Sequence, residues 1–255
     1  MQNKPLILIT NDDGIFAPGI FALWEAIHQI GEIFIAAPDT EKSAVGHAIT
    51  ISDPIRVEKI NRKNGFSGYA VAGTPADCVK IAVRALMERQ PDIVISGINA
   101  GANVGASLLY SGTVSAATEG TLLNIPSIAV SLDSLTVKDF NFAGKIAAYI
   151  VHQVLEKGLP TGTLLNVNVP AVPESIIKGY KITRQGNSHY QEGFDQREDP
   201  RGRTYYWMTG QLVEPTGSSD SDIQALNQNW VSVTPIHYKL TNEEFLPELI
   251  EWGLE

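Results

Sequence analysis

A chain of 255 residues, 44% of them hydrophobic and only 18% charged, can bury a sizeable core and does not have the composition of a disordered polymer. Its formal net charge of −9 argues against a nucleic-acid polymer or an anionic membrane as partner, since both call for a positive surface. It admits a small anionic substrate if a metal ion reverses the local field. The single cysteine, Cys78, excludes an intramolecular disulfide and a thiolate zinc site, and fits a reducing compartment.

Met1 to Lys4 lead directly into a strand-like segment, with no apolar run and cleavage site of a signal peptide. No run of about 18 apolar residues occurs, so a cytoplasmic location without a membrane span is expected. Leu6 to Ile9 is a continuous apolar run, the form of a strand buried on both faces. From Pro18 a helix is expected, with Ile20, Leu23, Trp24 and Ile27 on one face and Gly31 as its stop. Ile33 to Ala37 reads as a second buried strand. Thr74-Pro75-Ala76-Asp77 is a helix start, with Thr as N-cap, Pro at the first position and a carboxylate three residues on. Val79, Ala82, Val83 and Leu86 continue that helix. Strands are expected at 93–96, 127–131 and 164–169, with a small-residue helix at about 113–123 and a long helix from Asp139 to Gly158 between them. Strands alternating with helices predict an α/β fold, a Rossmann-like and mostly parallel sheet with helices on both faces. Past Pro170 the helical periodicity fades. Residues 1–169 are therefore read as the catalytic core, and 170–255 as a hairpin-rich C-terminal region with one further strand at 230–235, a short polar loop at 218–222 and a terminal helix at 241–252.

Ligands of open α/β sheets bind beyond the carboxyl ends of the strands. The segments there are Asn11-Asp12-Asp13-Gly14, the loop through Asp39 to Ser43, Ser96-Gly97-Ile98-Asn99, and Tyr110-Ser111-Gly112-Thr113. Adjacent carboxylates repel unless a cation lies between them, which makes Asp12 and Asp13 a natural hard-metal site. An all-oxygen set completed by neutral Ser43 and Asn99 suits magnesium or manganese and keeps the charge low enough to admit phosphate. The competing reading is that Asn11 to Gly14 only turns the chain and caps a helix, the commoner use of such a cluster. Ser111, Gly112 and Thr113 open a helix whose free N–H groups favour an anion, although an ordinary N-cap gives the same pattern. The glycines of 97–105 match neither the dinucleotide fingerprint nor a P-loop. No Gly-x-Ser-x-Gly elbow and no His-Glu-x-x-His motif occurs. His28 and His152 read as surface or packing residues, and for His47, which follows the Ser43 loop, a place facing the site is the weaker of two readings. Thr74 to Asp77 is accounted for as a capping box and has no expected catalytic part.

Taken together, Ile9-Thr10-Asn11-Asp12-Asp13-Gly14, Ala37-Pro38-Asp39 through Ser43, Ala72 to Val79, Ser96 to Asn103 with Tyr110 to Val114, and Val231 to Pro235 resemble, in order, the motifs of the SurE family of stationary-phase survival proteins, which are nucleoside monophosphate phosphatases. The resemblance spans nearly the whole chain. It implies a 5′-nucleotidase with a divalent metal held by Asp12, Asp13, Ser43 and Asn99, and catalysis centred on Asp12 and Asp13 by metal-assisted attack of water. It also implies a phosphate pocket at Asn103, Ser111, Gly112 and Thr113, and a homodimer or homotetramer built with C-terminal segments. The chain departs from the family where Thr40 replaces a frequent basic residue and Ala44 a frequent glycine. Two rivals are a regulatory nucleotide-binding module without turnover and a phosphatase that forms an aspartyl-phosphate on Asp12 or Asp13.

Overall fold

The structure, a computed structural model, describes residues 4–62, 64–136, 139–213 and 219–254. Met1 to Asn3 and Ser218, which enter the expectations above, lie outside them. The strands are β1 (Leu6–Thr10), β2 (Glu32–Pro38), β3 (Val57–Asn61), β4 (Ser67–Val71), β5 (Ile93–Ala100), β6 (Ser127–Asp133), β7 (Thr163–Pro170), β8 (Tyr180–Ile182), β9 (His189–Glu198), β10 (Thr204–Val213) and β11 (Val231–His237). The helices are α1 (Pro18–Ile27), α2 (Pro75–Ile81), α3 (Gly112–Leu122), α4 (Asn141–Lys157), α5 (Asp222–Asn227) and α6 (Leu246–Glu251).

β1 is buried along its whole length, as its unbroken apolar run requires. It lies inside a nine-stranded sheet of order β3-β4-β2-β1-β5-β6-β7-β11-β8, with β2 and β5 its parallel neighbours. The order reverses at β1, so a crevice opens at the carboxyl ends of β1 and β5, the place where such sheets bind ligands. The core elements thus follow the alternating pattern of the sequence. β3 and β4, an antiparallel pair at the sheet edge, carry no comparable signal because most of their residues are partly or fully exposed. The C-terminal region is only in part an appendage. β11 pairs antiparallel with β7 and parallel with β8, so both extend the main sheet, while β9 and β10 form a separate two-stranded ribbon. The terminal helix is shorter than its apolar spacing suggests, Leu246–Glu251.

Ile7 and Ile9 of β1 face α1 and α4, together with Ile95, Val130 and Val167. Leu8 and Val94 face the other way, toward Val79 of α2 and Ala116 of α3. The chain steps from β1 to β2 over the first face, and from β4 to β5 and β5 to β6 in the opposite direction over the second face. These three crossovers share one hand. α4 steps from β6 to β7 in the same direction as α3 but on α1's face, so its crossover has the opposite hand. Parallel crossovers are right-handed in about 98% of cases, which makes β6–α4–β7 the left-handed one. The crossover helix between β6 and β7 is therefore not on the face of α3. The chain between β5 and α3 fills that space: Leu108 packs with Ala129 of β6 and Leu164 of β7, and Val104 with Ile223 and Leu226 of α5.

Candidate active site

Beyond Thr10 the chain reverses. The Asn11 side-chain amide donates to the Gly14 carbonyl at 2.9 Å, and the Gly14 N–H returns to Asn11 Oδ1 at 3.2 Å. Gly14 takes φ +97°, a conformation that costs glycine little. α1 starts only at Pro18, with Ala17 at its N-cap and no side-chain cap. Asn11 thus closes the turn, and neither Asp12 nor Asp13 caps the helix.

Asp12 is buried at the N-terminal end of α3, where Thr113 Oγ1 donates to its Oδ1 and the Thr113 backbone N–H adds to the same carboxylate. The approach is close enough that a Cβ on Gly112 would fall 2.7 Å from Asp12 Cβ, so the position demands glycine. Asp13 is half-buried and its Oδ2 accepts the Ala100 N–H of β5 at 3.2 Å. Adjacent residues are in this way held by two different elements across the crevice. The neighbouring Asn99 donates its side-chain N–H to the Gly101 carbonyl at 2.7 Å, leaving the amide oxygen as the end that could bind a cation. The loop after β2 is tied to the same point, since the Lys42 N–H donates to the Asp12 carbonyl at 2.7 Å. One residue on, the Ser43 hydroxyl donates to Glu41 Oε1 at 2.7 Å rather than to either aspartate.

Burial pushes the Asp12 carboxyl above its ordinary range, against the opposing bonds from Thr113, and the charge of Glu41 adds to the rise. Burial, and then the charge of Asp12, push Asp13 up to about 6, with Glu41 again contributing. Among the described residues no basic side chain pairs with either, and no group of three His, Cys, Asp or Glu side chains is placed to hold a metal. A cation here would be bound by two carboxylates and neutral oxygens.

The remaining expected residues fall in two places. Ser111 is the N-cap of α3 and accepts the Val114 N–H at 3.1 Å. Asn103 is buried, its side-chain amide directed into the sheet and donating to Ser131 Oγ at 2.9 Å. His47 lies on the flank, where its Nε2 meets Glu119 Oε2 at 3.0 Å, and Lys80 binds the other oxygen of that buried carboxylate. The Thr74–Asp77 capping box is formed, and Asp77 also receives the Thr50 hydroxyl at 2.6 Å. Glu41, Glu119, Ser131, Asn166 and Asn168 escaped the sequence reading. Only the last two carried a signal, two amides at strand spacing inside an apolar strand.

Fold and site together define a Rossmann-like α/β protein with a paired-carboxylate centre where its strand order reverses. A family model described as survival protein SurE matches residues 7–192. The chain belongs to the SurE family. It is 49% identical to the 5′-nucleotidase SurE of Heliobacterium modesticaldum over 96% of this chain and 91% of that protein. It is likewise 49% identical to the 5′-nucleotidase SurE of Syntrophobacter fumaroxidans over 97% of this chain and 99% of that one. The crystal structure of the SurE protein from Aquifex aeolicus superposes with a TM-score of 0.85 at 41% identity, covering 98% of this chain and all of the other.

Proposed function

We propose that this chain is a 5′-nucleotidase that uses a divalent cation and water to convert nucleoside 5′-monophosphates into nucleoside and inorganic phosphate. The observation that carries this is the Asp12–Asp13 pair, two adjacent carboxylates held on separate elements, with burial raising both and the charge of Asp12 raising Asp13 further. The 5′-nucleotidase names of relatives matched over nearly the whole chain support it.

The donor set fits a hard cation such as magnesium or manganese, because every candidate atom is oxygen and no cationic side chain among the described residues pairs with the carboxylates. Asp12 and Asp13 would hold it, with Ser43 and Asn99 as neutral partners. When bound, such a cation supplies Lewis acidity toward the phosphoryl group and a means of activating water. Thr113 fixes the rotamer of Asp12, and the Ala100 N–H fixes Asp13. The first turn of α3, Ser111 to Thr113, and the loop at Asn103 would cradle the phosphate oxygens, since helix N-termini favour anions.

A phosphate-release screen over nucleoside monophosphates, with magnesium, manganese or excess chelator, tests the reading. Broad action on monophosphates is expected, with little on a model diester. Diester cleavage without monophosphate cleavage, or nucleotide binding without release of phosphate, overturns it. Quenched single turnovers are expected to leave no phosphate on Asp12 or Asp13.

The same reading includes a homodimer or homotetramer in the cytoplasm. The β9–β10 ribbon stands outside the main sheet and exposes Tyr190, Phe194, Tyr206, Trp207 and Met208. An isolated hairpin is marginal in water and exposed aromatics seek a partner, here a second copy of the chain. The buried free thiol of Cys78 fits a reducing compartment. Among the described residues no helix is long and apolar enough to cross a membrane. A monomer by light scattering at micromolar concentration refutes the assembly.

A further inference from the structure

β7 is an apolar strand interrupted by two amides. Leu164, Asn166 and Asn168 alternate onto the α3 face, while Val167 and Val169 enter the core on the other. In register, Asn168 lies beside Ser131 of β6, and Asn166 beside Ala129. All four hydrogen bonds of this cluster to the loop end on one residue. The Asn103 N–H donates to Asn168 Oδ1 at 2.8 Å. The Asn103 carbonyl accepts Asn168 Nδ2 at 3.0 Å and Asn166 Nδ2 at 2.8 Å. The Asn103 side chain donates to Ser131 Oγ at 2.9 Å. The Asn168 amide therefore pairs with both backbone groups of Asn103, as a neighbouring strand would.

Buried amides lose hydration that valine at the same positions would not have to give up, and Asn166 Oδ1 has no partner at all among the described residues. A core built only for stability gains nothing from such an arrangement. What it achieves is a single backbone position and a single side-chain rotamer for Asn103, in a loop whose next two residues are held by α5, Val104 by packing and the Gly105 N–H by Asp222 Oδ2 at 2.9 Å. Ser131 takes one hydrogen of the Asn103 amide and leaves the other, with the amide oxygen, available to a ligand.

We propose that Asn166, Asn168 and Ser131 are positioning residues, a clamp that presets Asn103 for a phosphate oxygen before the substrate arrives. The proposal rests on the reading of Asn103 as part of the phosphate pocket. The clamp acts on phosphate and not on the cation, since it touches neither Asp12 nor Asp13.

The test compares Asn103→Ala, Asn168→Ala, Ser131→Ala and the Asn103→Ala/Asn168→Ala double variant. Inorganic phosphate binding and manganese binding are each measured by calorimetry, with KM and kcat for a nucleoside monophosphate. Asn168→Ala and Asn103→Ala are expected to weaken phosphate binding by about 10-fold or more, the usual effect of losing a group that orients a ligand-binding residue. Manganese affinity stays within about twofold of wild type. The double variant is expected to bind phosphate no worse than Asn103→Ala alone, because residues of one network are not additive. Ser131→Ala removes one atom from a small buried side chain and gives the same direction of change if Asn168→Ala does not fold. Variants that lose thermal stability yet bind phosphate like wild type overturn the clamp, as does an additive double variant. Wild type that binds manganese but neither phosphate nor nucleotide overturns the pocket and the clamp together. Wild type that binds phosphate with all variants unchanged overturns the clamp alone.

Discussion

Replacing Asp13 by asparagine separates a metal-binding carboxylate from a structural one. The Asp13 carboxyl is raised from 3.8 to about 6, first by burial and then by the charge of Asp12. A shift of about two units corresponds to a ceiling of about 3 kcal/mol at 1.36 kcal/mol per unit, and Asp13 is open enough to solvent that screening leaves about 1–2 kcal/mol. The folded state holds its proton more tightly than the unfolded state, which ionises near 3.8. Stability from this group is therefore present below pH 4 and lost as pH rises through about 6. The amide introduced by Asp13→Asn carries no charge, and its oxygen can still accept the Ala100 N–H. With metal removed by chelator, the Asp13→Asn protein is expected to be more stable than wild type by about 1–2 kcal/mol at pH 7 and nearly equal to it at pH 4. Urea melts in chelator at pH 4, 5, 6 and 7 read this directly. With magnesium or manganese restored, the same variant is expected to lose turnover by about a hundred- to a thousandfold, the loss of a transition-state contact of about 3–4 kcal/mol. A variant less stable than wild type at both pH values, or one that keeps its turnover, refutes the reasoning.

Chelation is expected to abolish phosphate release, and Ser43→Ala to reduce it less than either Asp→Asn change, because water replaces a neutral hydroxyl around a hard cation; equal losses in a metal titration would contradict the assigned ligand set. Glu119 is raised by burial but lowered further by bonds from His47 and Lys80, so its carboxyl sits below the ordinary 4.5. Its contribution is present above that pH and lost as pH falls through the lower folded value. Glu119→Gln should therefore cost about 1–2 kcal/mol in urea melts at pH 7, less than for a fully buried pair because the Lys80 and His47 side chains reach water, and almost nothing near pH 3. Ala44 takes φ +56°, which costs a non-glycine residue about 1–2 kcal/mol. Ala44→Gly relieves that strain and loses about 0.5–1 kcal/mol to chain entropy, so a small rise in melting temperature is expected, and a fall equivalent to more than about 1 kcal/mol would contradict it.

The positions of the candidate site were legible because they follow from local pattern. An apolar run of four residues marks a buried strand, and the polar residues after it mark the ligand edge. Asp12 and Asp13 could be singled out from adjacency alone. Whether they cap the following helix could not, since Asn-Asp-Asp-Gly fits a cap as well as a ligand set, and that they do not is seen only from Asn11 closing the turn and Ala17 standing at the N-cap. The left-handed backbone at Ala44 was likewise not readable from its neighbours in sequence.

The sequence by itself determined the buried face of α1, the long helix α4, the strands β1, β5, β6 and β7, and the Thr74–Asp77 cap, all of which depend on residues a few positions apart. Tertiary structure decided the rest. Thr113 reaches Asp12 across 101 residues, and Asn168 reaches Asn103 across 65. Glu119 is matched to Lys80 and His47 from two separate segments. β8 and β11 join the main sheet, and α4 crosses on the face opposite α3. Such pairings are set by which strand edges and helix faces meet once the chain has collapsed. A local window carries the period of an element and the type of its residues, but not the register or the hand in which distant elements come together.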